Sequence, residues 1–286
     1  MRRLLLAQIF SCPGQDPFHS DENIRPVPVP FGRLNVDVSG SKLYDLTNHI
    51  EFIRFKERRG MKSPLMYQTT DYDCGPTAVL NALRFLYDRN EIPPEFLSKA
   101  YSCMLDRCNG EGVTCRGGTT NAAIRYYVDW LKIYAREVHY NILVRYIDGE
   151  DVSFKEDSLI RKCLTMGGAA VVRCFAEEDH FITLTGLQMG TSENPYDPLE
   201  YVRVFDPWYM EQDLWQNSRI QRVFDRPKSC NLLVPVENME SEYLDWYSLA
   251  NHEEKCAALF VRTGKGYVIH PETDLSVKSI FPDAGQ

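Results

Sequence analysis

The sequence predicts an α+β fold in which helices come first and a mostly antiparallel sheet follows. Two observations carry this. After residue 74, apolar residues recur at helical spacing, first as Val79, Ala82, Leu83 and Leu86. In the second half, short runs rich in β-branched and aromatic residues dominate. Helices segregated from strands along a chain favour layered α+β packing over repeated βαβ units.

The elements are taken in chain order. Met1-Arg2-Arg3 precedes the apolar run Leu4–Phe10. That run is short, contains Gln8, and is followed by Ser11-Cys12-Pro13-Gly14 rather than by a small-x-small cleavage site. It reads as a first β-strand. Residues 11–35, with Val27 and Val29 set between prolines, read as an extended arm. Residues 47–60 read as a short charged helix. The first strong helix follows Cys74, and Pro76 suits its first turn. A second helix runs from Pro94 to about Met104. Gly110, Gly112, Gly117 and Gly118 make 106–120 a loop. A third helix spans about 120–135, with Ile124, Tyr127, Val128, Leu131 and Tyr134 on one stripe. A fourth covers 156–166 and ends at Gly167-Gly168. Strands are expected at Ile142–Ile147, Ala170–Phe175, Phe181–Leu187, Tyr201–Phe205, Leu232–Val236, Ala258–Arg262 and Tyr267–His270. The last two flank Thr263-Gly264-Lys265-Gly266, a hairpin signal.

Composition narrows the function classes. The chain has 286 residues, 44% of them hydrophobic, enough for a sizeable core. A net charge of −8 argues against nucleic acid as the main partner, because phosphate binding needs a basic footprint. Arg54, Lys56, Arg58, Arg59 and Lys62 form a small basic run that reads as a solvated face. No segment approaches the length of a transmembrane helix, so no integral membrane segment is expected. The nine cysteines are odd in number and lack a compact framework, which suits reduced thiols in a cytoplasmic setting. Cys103, Cys108 and Cys115 lie close in sequence. They contain no C-x-x-C pair and no histidine lies within twenty residues, so neither zinc nor any other metal or cofactor is expected.

One constellation carries chemistry. In Gln68-Thr69-Thr70-Asp71-Tyr72-Asp73-Cys74-Gly75-Pro76, Cys74 opens a helix. The orphan N–H groups and the positive dipole end there favour thiolate, the nucleophilic form. Gly75 is expected to let a substrate approach the backbone closely. Gln68 is expected to join the Cys74 N–H in a two-donor oxyanion hole. Asp71 and Asp73 oppose a thiolate by like charge, so they are expected to face solvent or fix the loop. Of the six histidines, His180 opens the strand Phe181–Gly186, where an imidazole faces a helix start packed on the sheet. Asp206 ends the neighbouring strand and is followed by Pro207-Trp208. Asn194-Pro195 and Asp197-Pro198 mark a turn that pairs the two strands and sets Asp206 beside His180 as its orienter. Each residue alone has a bland reading: a buried small thiol, a surface histidine, a strand terminator. Their order and element context together favour the catalytic one.

At these residues the chain resembles the bacteriocin-processing, double-glycine peptidase family of papain-like cysteine peptidases. The resemblance covers about residues 64–210. It rests on Gln68-x5-Cys74-Gly75-Pro76, His180-Phe181-x-x-Leu184-Thr185-Gly186 and Phe205-Asp206-Pro207. It implies a papain-like fold with Gln68 as oxyanion donor, Cys74 as nucleophile, His180 as base and Asp206 as orienter. It also implies a free-standing member, since the sequence holds no G-x-x-x-x-G-K-[ST] nucleotide loop. The domain reading is an arm at 1–60 packing on the main domain, a catalytic domain at 61–235, and C-terminal strands at 236–286 completing or covering it. The expected activity is hydrolysis of a peptide or small amide substrate through a Cys74 acyl-enzyme. An acyltransferase using an amine or thiol acceptor and a non-catalytic peptide-binding module are the alternatives.

Overall fold

The computed structural model describes residues 62–190, 200–208, 219–250, 254–264, 277 and 279–282, all within the unit Thr47–Gln286. The expected strand at 4–10, arm at 11–35, helix at 47–60 and strand at 267–270 lie outside the described residues.

Three helices lead. They are α1 (Cys74–Leu86), α2 (Pro94–Met104) and α3 (Asn121–Glu137). Only Arg84 and Phe85 of α1 escape burial, so this helix is covered nearly all round and runs through the core. Thr120 starts α3, its side chain accepting from the Ala123 N–H at 3.1 Å. The inward stripe of α3 is Ile124, Tyr127, Val128 and Leu131, while Tyr134 is half-buried.

The strands are β1 (Ile142–Asp148), β2 (Ala169–Ala176), β3 (Glu178–Met189), β4 (Glu200–Phe205), β5 (Gln221–Arg222), β6 (Leu232–Pro235) and β7 (Cys256–Arg262). They form one seven-stranded sheet in the order β1-β7-β2-β3-β4-β6-β5, antiparallel at every pairing. The described chain is therefore α+β, with helices leading.

Alternation explains why the strands are apolar throughout. Val171, Phe181, Ala258 and Phe260 pack against the helical layer. Their neighbours Val172, Ile182, Ala257 and Leu259 pack on the other side, against a second core that includes Ile160, Tyr247 and Ile280. A sheet buried on both faces needs hydrophobic residues at both parities. Polar residues on the helical side are tied to the helices: the Thr183 hydroxyl donates to the Ala78 carbonyl of α1 at 2.9 Å, and the Arg173 guanidinium donates to the Asn121 side chain of α3 at 3.0 Å.

Several boundaries differ from the sequence reading: β3 starts at Glu178 rather than Phe181, and β7 at Cys256 rather than Ala258. The helix expected at 156–166 is α4 (Leu159–Thr165), because the Ser158 hydroxyl accepts from the Arg161 N–H and starts it later. Its end is as read: Gly167 takes φ +77°, and Gly168 N–H returns to the Cys163 carbonyl at 3.0 Å. The strand expected at 232–236 stops at Pro235, and Val236 opens the short helix α5 (Val236–Met239). Among the described residues no helix is long and apolar enough to cross a membrane.

The last described strand is internal. Among the described residues β7 lies between β1 and β2, and β1 has no other strand partner. A chain ending before Cys256 leaves β1 unpaired and opens both cores. Such a chain is expected to show no cooperative melt by circular dichroism. A sharp two-state transition in it would contradict the role assigned to β7.

Candidate active site

Cys74 is the first residue of α1 and keeps 7% of its surface exposed. Asp73 occupies the N-cap position, yet its side chain does not cap the helix. The carboxylate turns back and accepts from the Thr69 and Thr70 N–H groups at 3.2 and 2.9 Å and from both hydroxyls. Tyr101 of α2 adds its phenol at 3.3 Å. Asp73 thus fixes the loop before the cysteine, and the first-turn N–H groups of α1 stay clear of its carboxylate. Those N–H groups are the dipole end that favours a thiolate. Asp71, by contrast, is exposed.

His180 stands at the third position of β3, opposite Cys174 of β2. Its Nε2–H donates to Asp206 Oδ1 at 2.7 Å, since an ionised carboxylate can only accept. The Cys74 sulfur interacts with the same imidazole. Burial pulls the imidazole pKa down. The charge and hydrogen bond of Asp206, with the Cys74 sulfur, outweigh that and hold it up at about 10. The three residues therefore form one buried relay of thiol, imidazole and carboxylate.

Asp206 is the most constrained member, at 3% exposure. Pro207 has no N–H, so the first amide after Asp206 belongs to Trp208, and it donates to Oδ1 at 2.8 Å. The other oxygen accepts the Tyr247 phenol at 2.6 Å. The Asn231 side chain grips the Asp206 main chain, accepting from its N–H and donating to its carbonyl, both at 2.8 Å. Tyr247 is buried with φ +61°, and its N–H is held by the Phe175 carbonyl at 2.7 Å. Burial and Asp206 push its phenol well above the ordinary range, so it stays a donor. Neither Tyr247 nor Asn231 was singled out in the sequence. Both come from segments without periodicity, and no local pattern marks them.

Gln68 joins the two halves of the site. Its backbone N–H donates to the Pro207 carbonyl at 2.8 Å, tying the loop before Cys74 to the turn after Asp206. Its side-chain Nε2 donates to the Thr70 carbonyl at 2.7 Å, and its Oε1 is buried without a partner. The amide thus spends one of its two N–H groups on its own loop, and only the second can serve an oxyanion.

Gly75 has a different reason from the one expected. A Cβ there would lie 2.2 Å from the Thr119 hydroxyl and 2.6 Å from its Cβ. Thr119, at the end of the 106–120 loop, occupies the space assigned to a substrate backbone. Its buried hydroxyl has no hydrogen-bond partner.

A cleft of about 280 Å³ opens beside Gln68, His180, Asp206 and Trp208. A larger cavity of about 540 Å³ lies between α3 and β1, lined in part by Arg125, Lys132 and Arg145, and shares no residue with the first. Of the cysteine trio, Cys108 and Cys115 are exposed and Cys103 is half-buried. Among the described residues no cluster of three or more histidine, cysteine or carboxylate groups is placed to hold a metal. No family model matches the chain, and no curated protein or solved structure matches it either.

Two outcomes follow from this geometry. Gly75→Ala is expected to lower stability by about 1–3 kcal/mol through overpacking, and Thr119→Gly in the same chain to recover part of that loss in denaturant melts. The second outcome concerns pH. The native imidazole keeps its proton to about 10, whereas the unfolded one loses it near 6.5. Its contribution to stability is therefore complete below pH 6.5 and falls away as pH rises toward 10. Asp206→Asn is expected to flatten this decline in melting temperature, and an unchanged slope would contradict the pairing.

Proposed function

We propose that the protein is a papain-like cysteine hydrolase that cleaves a peptide or small amide bond through a Cys74 acyl-enzyme. The observation that carries this reading is the single buried imidazole of His180, held between the Asp206 carboxylate and the Cys74 sulfur at a helix start. A structural role for Cys74 would not need a carboxylate-oriented imidazole beside it.

The chemistry divides into two halves. The Cys74 thiolate forms a carbon–sulfur bond to the substrate carbonyl, and the electron pair moves to oxygen. The Cys74 N–H and the second Gln68 N–H receive that oxyanion. The C–N bond then breaks as His180 gives its proton to the departing amine, leaving a thioester. Water attacks the thioester, His180 takes the water proton, and the thiolate leaves with the acid as product. Asp206 stays ionised and holds the imidazole in line. The cytoplasmic setting belongs to the same proposal. All eight described cysteines are free thiols, in keeping with a nucleophile that needs reduced sulfur.

Incubation with an activated nitrophenyl ester tests the proposal. Intact-mass analysis is expected to show one acyl group on the peptide containing Cys74, and none in Cys74→Ala. Gln68→Ala is expected to keep alkylation by iodoacetamide while turnover falls roughly 10²–10³-fold, the usual loss for one oxyanion donor. Alkylation forms no oxyanion, so the two readouts separate. Turnover close to the parent in folded Gln68→Ala would remove Gln68 from the mechanism.

A further inference from the structure

The cleft beside His180 carries a charge pattern that the hydrolysis mechanism does not use. Its rim holds Asp71, Glu177 and Glu178, and no described lysine or arginine lines it. Among the described residues, none of these three carboxylates has an ion-pair or hydrogen-bond partner for its side chain. The contrast with the adjacent Asp179 is direct. That carboxylate is paired with the buried Arg173, which also holds Glu254. The chain therefore pairs Asp179, which does not line the cleft, and leaves Asp71, Glu177 and Glu178 bare.

Bare carboxylates there work against the nucleophile. Reactive thiolates sit in electropositive surroundings, and each nearby negative charge disfavours sulfur ionisation. Glu177 adds a second oddity. It makes the turn between β2 and β3 with φ +65°, a conformation glycine adopts without strain. Two indoles complete the rim, Trp208 at 43% exposure and the half-buried Trp246. A tryptophan face is the best aromatic partner for an ammonium or guanidinium group.

We infer that the cleft binds a cationic group of the substrate, a lysine or arginine side chain or a free amine. Asp71, Glu177 and Glu178 supply its counter-charges and Trp208 its aromatic face. The inference rests on the Cys74 acyl-enzyme reading, whose residues define the site independently of the carboxylates. A bound cation cancels the like charge that the rim imposes on the thiolate. The same groups then serve selection and activation, because sulfur is at its most nucleophilic when the cleft is correctly filled.

Small alkylating probes test this on the full chain, since they fit a nucleophile so nearly buried. Cys74 labelling is measured with cationic 2-bromoethylammonium and with neutral iodoacetamide, each rate divided by that of 2-mercaptoethanol with the same reagent. The normalised rate is expected to favour the cation roughly tenfold at low salt. It should fall toward parity at 1 M salt, where screening acts within about 3 Å. In Glu177→Gln/Glu178→Gln the preference should shrink toward parity while the iodoacetamide rate is kept or raised. Both side chains are exposed and unpaired, so the double variant leaves the packing alone. A labelled Cys74 with no cation preference, or a preference that survives the double variant, overturns the inference and leaves the acyl-enzyme reading standing. If iodoacetamide modifies Cys108 and never Cys74, the acyl-enzyme reading falls and this inference falls with it.

Discussion

The arrangement around Asp206 is the constraint on which the rest of the site depends. One buried carboxylate receives the His180 imidazole, the Trp208 amide and the Tyr247 phenol. These donors come from β3, from the turn after β4 and from the segment beyond α5. Asn231, just before β6, holds the same residue by its main chain. One residue further on, the Pro207 carbonyl holds Gln68 and with it the loop that delivers Cys74. Four other stretches of chain therefore meet at residues 206–208. A buried charge without partners is strongly destabilising, so the network persists only if all of it forms. The imidazole is thereby locked in one orientation, with Nε2–H on the carboxylate.

The sheet explains how such distant stretches can meet reliably. β3 and β4 are neighbours joined by an antiparallel register, which sets Phe205 opposite Thr183 and brings the turn after β4 toward the start of β3. α1 lies across β3, pinned by the bond from Thr183 to the Ala78 carbonyl. The start of α1 and the start of β3 are thus held by one rigid layer contact. The sheet itself is completed late in the chain, because β7 fills the gap between β1 and β2. Tyr247 and Ser248 belong to the approach to β7, and they pair with Phe175 near the end of β2. Closing the sheet and finishing the Asp206 network are consequently parts of one folding event, with long loops to close before either is rewarded.

How much of this was legible follows from the range of each signal. The helices were readable because their apolar spacing is local: the Leu131 stripe of α3 and the Val79–Leu86 stripe of α1 need only their own residues. Cys74 and Asp206 were nameable because each sits at an element boundary with a distinctive neighbour, Gln68 by its spacing from Cys74, and His180 by its place near a strand start. Tyr247 and Asn231 were not, since their roles exist only after the chain has folded back over Asp206. The position of β7 was equally invisible: alternation declares a strand and says nothing of its neighbours. Gly75 was read in the wrong terms. A glycine beside a nucleophile suggests a substrate, yet here it makes room for Thr119, forty-four residues away. The start of α4 falls later than 156 because the Ser158 hydroxyl caps the helix there.

The carboxylates near Cys74 fall into two classes, and the division has a physical logic. Asp73 and Asp206 are almost fully buried, and each is occupied by several donors. Their charge is spent on geometry, the one fixing the loop and the other the imidazole. Asp71, Glu177 and Glu178 are exposed and partnerless, so their charge remains available to whatever enters the cleft. Solvent screens exposed charges strongly in the open cleft, so they weigh least on the proposed nucleophile while the cleft is empty. A ligand that displaces the water removes that screening and sharpens every charge left inside. A neutral or anionic ligand would then meet bare carboxylates in a drier site, with the negative sulfur beside them. A cationic ligand would meet compensation. The selectivity we infer therefore does not require a rigid pocket for the charged group. It arises from the change in screening that accompanies binding, with the carboxylates already in place and the imidazolium already held by Asp206.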